Sequence, residues 1–554
     1  MSAQVEEKPE LSQLEVAMDL GRVDNEGYFS PAHMGDGLVK SRFDDLSLGK
    51  ACWTFRKALF YCFVAYTSSV MEGFVLTMSG SIIANQGFIN QFGETQPDGS
   101  KVLNTSWVSA WGAIINVGQI IAMTYVPFMT DRFGRKLGFY SCWLLYTACL
   151  LCLTFARTPA VWFLGKLLFG IGVGTAQILT TPYVMEIAPT RVRGGIIGGG
   201  LIWQVVPNAR ARRTTIGGIL CSLMLQISNQ RYPLRYLLPI YVIWGPITSL
   251  LLCFFVLPES PWFHARRDNK EASIKSLRRL YQGIPGYDFE EEYGIIRRSL
   301  EHEKLQDGEA RSLTWKTVFT GLNRKRLTVM IALCCSQQLG GVTLIYSYST
   351  YFFQLAGLQD PFLASLVQNL IGLAAVIVFT FTVDKIGRRP ILCPSYTIMS
   401  GVLWVIGGVY YAGSAASQRV LLALVCVWQP AFTVFGNSYF LLASELPTAQ
   451  LRMKANAASW VTQAVLGIAT NFAVPPLLTH LGIRAAFVFG ATSLPFMIFF
   501  WYFLPETKGR SVSEIDELYE HRVPAWRWAK FETEAERQMR AVVTGTRLTK
   551  PVGV

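Results

Sequence analysis

The chain has 554 residues, of which 51% are hydrophobic and only 16% charged, and its mean hydropathy is positive. A soluble chain of this length divides into several domains with more charge on their surfaces, so the composition argues for a membrane protein instead. The formal net charge of +13 does not signal a nucleic-acid partner, because the basic residues sit between apolar runs and in the termini, where they orient helices in a bilayer.

Residues 1–55 read as a disordered cytoplasmic tail without the apolar core of a cleaved signal peptide. Apolar stretches of roughly 20 residues follow, each long enough to span a bilayer. In the first half they fall near 58–80, 107–129, 137–156, 160–181, 195–227 and 236–257, making a bundle over 56–257. The first span carries Glu72 deep in apolar surroundings, and the loop after it carries Asn104-Thr105-Ser106, an N-glycosylation acceptor if that loop is exterior. The fifth span is irregular: Gly194 to Val206 and Ile216 to Ile227 are apolar, but residues 207–215 between them include Arg210, Arg212 and Arg213. An arginine at a helix centre costs ~3 kcal/mol on insertion scales. This predicts a broken span, with the polar stretch an insertion. The charged segment 258–326 has mixed signs at helical spacing, suited to surface helices under the membrane. Six further spans lie near 327–350, 361–383, 391–412, 420–443, 455–479 and 484–504, making a second bundle over 327–504 before a polar tail at 505–554.

Three signatures occur twice in the same order, roughly 250 residues apart. Asp131-Arg132-Phe133-Gly134-Arg135-Lys136 is answered by Asp384-Lys385-Ile386-Gly387-Arg388-Arg389. Glu186-Ile187-Ala188-Pro189 with Arg193 is answered by Glu445-Leu446-Pro447 with Arg452, and Pro258-Glu259-Ser260-Pro261 by Pro505-Glu506-Thr507. An ordered recurrence of three motifs means two homologous halves. Lysine and arginine favour the loops at 131–136, 191–193, 258–326, 385–389 and 452–454, which places both termini and the middle segment in the cytoplasm. Most of the eleven cysteines lie inside or at the ends of apolar runs and the five histidines offer no ligand pair, so neither a metal nor another cofactor is expected. No paired catalytic groups suggest an enzyme.

The paired charged turns, the Glu-to-Arg segments after spans four and ten, Pro258-Glu259-Ser260-Pro261-Trp262 and Pro505-Glu506-Thr507-Lys508-Gly509 resemble the sugar porter branch of the major facilitator superfamily. Met71-Glu72-Gly73, Gly165-Lys166-Leu167-Leu168 and Tyr348-Ser349-Thr350-Tyr351-Phe352-Phe353 resemble, more narrowly, the fungal α-glucoside (maltose) permeases. The resemblance implies an all-α membrane fold of twelve transmembrane helices in two six-helix bundles. It further implies a monomer in the plasma membrane that moves a sugar-like solute by alternating access, with H+ as a candidate second partner.

Gln337 and Gln338 lie inside the seventh span, where an unsatisfied amide costs several kcal/mol, so they face a cavity or another helix. An amide both donates and accepts, which matches a sugar hydroxyl. The resemblance implies that this pair touches the sugar, with Asn471 of the eleventh span; hydrogen bonding between helices is the alternative. Tyr348 and Phe440 are candidates for an aromatic wall, packing being the other reading. Asp131, Arg135, Glu186, Arg193, Asp384, Arg388, Glu445 and Arg452 look like the family's cytoplasmic gate, ion pairs that form when that side closes.

Val75 stands where proton-coupled members carry an aspartate, and Gln119 where they often carry an acid, which leaves Glu72 as the proton-coupling candidate in the first two spans. Proton symport and facilitated diffusion both remain open. Ser347-Tyr348 stands where the family has tandem tyrosines and Thr343 where it has an asparagine, which argues for a solute preference that has drifted from maltose-like sugars; a transporter of a non-sugar polyol or secondary metabolite and a non-transporting sugar sensor are the alternative functions.

Overall fold

The computed structural model describes residues 53–187, 201–231 and 236–533, apart from short gaps, and Arg537. The N-terminal tail through residue 52, Arg193 and most of the chain beyond residue 533 lie outside the described residues.

The first span is built from α1 (Arg56–Ala65) and α2 (Thr67–Ser81), extended by a tight turn at Ile82–Ala84. After the short α3 (Gln86–Phe92) and a two-stranded hairpin come α4 (Thr105–Phe133), α5 (Arg135–Phe155), α6 (Pro159–Ile187), α7 (Leu201–Arg231) and α8 (Leu238–Val256). Asn104 caps α4: its Oδ1 accepts from Ser106 N at 2.9 Å, and its Nδ2 donates to Glu94 Oε1 at 2.9 Å.

The middle segment forms α9 (Pro261–Arg266), α10 (Lys270–Tyr281), α11 (Phe289–Ser312) and α12 (Trp315–Val318). α10 buries Ser273, Ser276, Leu277, Leu280 and Tyr281, one stripe at helical spacing, and turns its charges outward. That stripe docks under the first half, where Tyr281 Oη donates to the Ile187 carbonyl at 3.0 Å and Lys57 Nζ to the Gln282 carbonyl at 2.7 Å.

In the second half α13 (Gly321–Gln337) runs into a wide helical turn at Gln338–Ser347 and then α14 (Ser349–Leu355). It continues with α15 (Pro361–Ile386), α16 (Arg389–Val409), α17 (Ala415–Glu445), α18 (Arg452–Leu481) and α19 (Ala485–Phe503). It is followed by α20 (Val512–Glu520) and a tight helical turn at Ala525–Lys530. Among the described residues nine helical stretches are long and apolar enough to cross a membrane, one of them covering both α18 and α19.

The fifth span departs from expectation. Residues 207–215 do not interrupt it; Leu201–Arg231 is one helix. A helix satisfies its own backbone whatever its side chains, so polarity alone does not force a break. The stretch also belongs to a close seam with the first span: a Cβ on Gly73 would lie 1.8 Å from the Thr214 carbonyl oxygen, and one on Gly217 2.0 Å from that of Val70. Glycine on each side is what allows the two backbones to meet.

Candidate functional site

Gly341 takes φ 87° within the turn after α13, a conformation that glycine adopts readily, and helical regularity is lost there. The neighbouring amides point to different partners. Gln463 Nε2 donates to Gln337 Oε1 and, at 3.3 Å, to Tyr439 Oη. Thr470 Oγ1 donates to Gln338 Oε1 at 3.5 Å, and Thr343 Oγ1 to Thr470 Oγ1 at 3.3 Å. Gln463, Gly467, Thr470 and Asn471 recur at helical spacing and form one face of α18. Gln463 was missed from sequence alone, although stepping back from Asn471 by four and eight residues along the helical period reaches it.

Asn471 and Tyr348 meet over Gly112 of α4, in the other half. A Cβ there would lie 2.3 Å from Tyr348 Oη and 3.1 Å from Asn471 Oδ1, while Asn471 Nδ2 donates to the Gly467 carbonyl at 2.8 Å. These two therefore sit in the seam between halves, apart from the Gln337–Gln463 pair. The side chain of Phe440 lies outside the described residues.

Glu72 is 3% exposed, and Gln177 Nε2 of α6 donates to its Oε1 at 2.7 Å. Gln177 is a second residue that sequence reasoning did not single out. Among the described residues no group of three or more His, Cys, Asp or Glu could hold a metal ion.

The two charged turns share one construction. Gly134 (φ 100°) and Gly387 (φ 112°) end α4 and α15, and a Cβ on them would lie 2.4 Å from Glu259 Oε2 and 2.7 Å from Glu506 Oε2. Glu259 accepts from the backbone N–H of Arg135 and Lys136 at 2.9 and 3.1 Å; Glu506 accepts from those of Arg388 and Arg389 at 3.0 and 3.1 Å. Each carboxylate thus satisfies the open amides at a helix N-terminus, which is what the repeated Pro-Glu motif is for.

The arginines then reach acids that the sequence grouped with them as a candidate gate: Arg135 pairs with Asp131 at 3.1 Å and Glu186 at 3.0 Å, and Arg388 with Glu445 at 3.1 Å. Burial pushes the Glu445 carboxyl above its ordinary range, while Arg388 and the Thr507 hydroxyl pull it partway back. Each of these pairs joins helix ends within one half. Arg193 and the side chains of Asp384 and Arg452 lie outside the described residues.

Contacts across the halves lie from mid-helix toward the end away from the charged turns. Asn369 Nδ2 donates to Ser222 Oγ at 3.1 Å, and a Cβ on Gly467 would lie 2.8 Å from Asn116 Oδ1. Farther out, Thr350 Oγ1 donates to Ser81 Oγ at 2.7 Å, and a Cβ on Gly80 would lie 1.5 Å from the Ser347 carbonyl oxygen. The halves are shut against each other at this far end.

Residues 61–519 match the family described as Sugar (and other) transporter. The chain is 25% identical over 519 residues to the general alpha-glucoside permease of Saccharomyces cerevisiae, covering 91% of this chain and 82% of that one. It is 26% identical to the MFS transporter fmqE of Aspergillus fumigatus, covering 81% and 83%. In fold it is similar to the inward-open xylose transporter XylE from E. coli, with a TM-score of 0.65 at 19% identity over 83% of this chain and 99% of that one. A match over most of the length, two repeated halves and apolar helices of spanning length agree: the chain belongs to the Sugar (and other) transporter family of multi-pass membrane transporters.

Proposed function

We propose that the protein moves a sugar of the α-glucoside or hexose class across the plasma membrane as a monomer, without enzymatic activity. Both termini face the cytoplasm, and Asn104 lies on an exterior loop as a glycan acceptor. The arrangement of Gln337 and Gln338 against the polar face of α18 carries this reading. Those amides are half-buried, hold exchangeable partners in Gln463 and Thr470, and lie against α18 within the second half. A solute hydroxyl can replace either partner, since it also donates and accepts.

Closure at the far end supports alternating access, with the bundles rocking about a site between them. In this assignment the far end is exterior and the ion-paired helix ends are cytoplasmic, each pair bracing its own half as that half moves. Glu72 is the carboxylate available for H+ symport, and facilitated diffusion is the cycle without it.

Uptake of radiolabelled maltose, glucose and myo-inositol in transporter-null cells tests the reading. Transport of one of them is expected. Gln337→Ala and Gln463→Ala each raise its KM about tenfold, the worth of one hydrogen bond at the upper end of its range. Transport with both KM values unchanged would reduce the amides to ties between helices. Uptake of myo-inositol alone would support the polyol alternative, and uptake of none would support a sensor. Alkalinisation of a lightly buffered medium during uptake, lost in Glu72→Gln, would select symport.

A further inference from the structure

Trp526 and Trp528 lie two residues apart on the turn at Ala525–Lys530 and have opposite fates. Trp528 is 1% exposed: it packs with Ile515 and Leu518 of α20 and meets the Tyr519 ring edge-on at 5.0 Å. Its Nε1 donates to the Val523 carbonyl at 3.0 Å. Trp526 is 54% exposed, and its ring stands edge-on to that of Tyr502 with the centres 6.3 Å apart. Tyr502 belongs to the last turn of α19, where Trp501, Tyr502 and Phe503 are all exposed in succession.

The turn that carries Trp526 is held at several points. Arg510 Nη2 donates to the carbonyls of Trp528 and Phe531, both at 2.7 Å, and Thr533 Oγ1 donates to Glu514 Oε1 at 2.9 Å. Asp516 ties α20 to Arg326 of α13 at 2.6 Å. The fold therefore sets where the exposed ring stands. Depth follows from α19, whose 19 residues span about 28 Å, close to the thickness of a hydrocarbon core. Tyr502, near its end, lies at the boundary between lipid and water. Tryptophan and tyrosine favour that layer, because the ring enters the apolar side while the N–H or O–H stays wet. Arg522 and Arg527 are exposed, but so is Glu520, which leaves ring burial rather than headgroup charge as the main attraction.

We propose that the turn at Ala525–Lys530 is a membrane anchor: Trp526 enters the headgroup layer beside Tyr502 and extends the lipid-facing surface of α19 onto the C-terminal segment. The occupant is the bilayer surface itself, neutral phospholipid included, since the exposed rings form one patch with the end of a membrane-spanning helix. The anchored segment is the one that reaches the second ion-paired cluster, where Thr507 donates to Glu445. Anchoring limits how far that support can swing from the membrane plane. The site does not depend on which solute is carried.

The test uses the full-length protein in phosphatidylcholine liposomes. With the photoreactive residue p-benzoylphenylalanine in place of Trp526, ultraviolet light is expected to add the mass of one phospholipid to the chain, as it does with the probe at Tyr502. The probe at Glu301, exposed on α11, is expected to give about tenfold less adduct. Raising salt to about 0.5 M is expected to change the yield at 526 by less than about twofold, because ring burial is not screened. Deuterium exchange over 523–531 is expected to rise about fivefold in Trp526→Ser and to stay at wild-type rates in Trp526→Tyr, which keeps an interfacial ring. A yield at 526 no higher than at 301, an adduct only when phosphatidylserine is added, or capture of a second copy of this chain overturns the proposal. So does exchange unchanged in Trp526→Ser. Failure of every sugar in uptake assays would sink the substrate assignment and leave these readouts intact.

Discussion

In the first half, Glu186 holds Arg135 at 3.0 Å and lies 3.9 Å from Arg266 of α9, in the middle segment. In the second half, Glu445 holds Arg388 at 3.1 Å and accepts from the hydroxyl of Thr507, on the stretch leading to α20. That stretch is itself anchored, since Arg326 at the base of α13 pairs with Asp516 at 2.6 Å and stacks on Tyr519 at 4.6 Å. The glycine turn, carboxylate cap and arginine are the same twice over; what holds the acid from outside is not. The first cluster is linked to the loop helices and the second to the C-terminal segment, so each half has its own handle at this end. Enclosure differs as well: the Glu186 side chain is 10% exposed and that of Glu445 27%.

The largest expected effect follows from that difference. Arg135→Met strips Glu186 of its close partner inside a tightly enclosed cluster and is expected to cost about 3–5 kcal/mol. Arg388→Met is expected to cost less, because Glu445 is wetter and keeps Thr507. Thermal unfolding of the two variants in detergent measures both, and equal losses would break the comparison. Next come Glu259→Gln and Glu506→Gln, each weakening two bonds to a helix N-terminus, with about 1.5–3 kcal/mol expected from either. A large imbalance between them would show that the shared construction is less alike than its distances. The smallest effect is expected of Arg266→Ala, below about 1 kcal/mol because that pair is long and the guanidinium 36% exposed. A loss as large as that of Arg135→Met would make the loop, not the turn, the main support of Glu186.

Most of the spans were legible because hydrophobic length is a local property, and their expected limits fall within several residues of the helices. Residues 207–215 were misread since a run of arginines signals a polar break in composition, whereas the backbone of α7 closes its own hydrogen bonds through them. In the site, Gln337 and Gln338 stood out as adjacent amides in an apolar run, but Gln463 and Gln177 each stood alone. A single glutamine in a long span acquires meaning only beside the group it touches, Gln337 in one case and Glu72 in the other. Glu259 and Glu506 were visible as a repeated motif, yet their capping of α5 and α16 depends on the chain returning more than a hundred residues later.

Sequence by itself determined the duplicated plan, its membrane-spanning elements and the turns that end them, because apolar run length, charge placement and glycine act over a few residues. Only the tertiary structure decided which amides face one another, that Lys166 lies enclosed beside Ser79 and Trp162, and that the halves meet at Ser81 and Thr350. Those outcomes depend on backbones brought close at Gly73 and Gly80, and on side chains reaching Gly112, from segments far apart in the chain, and no local pattern records which segment will arrive there.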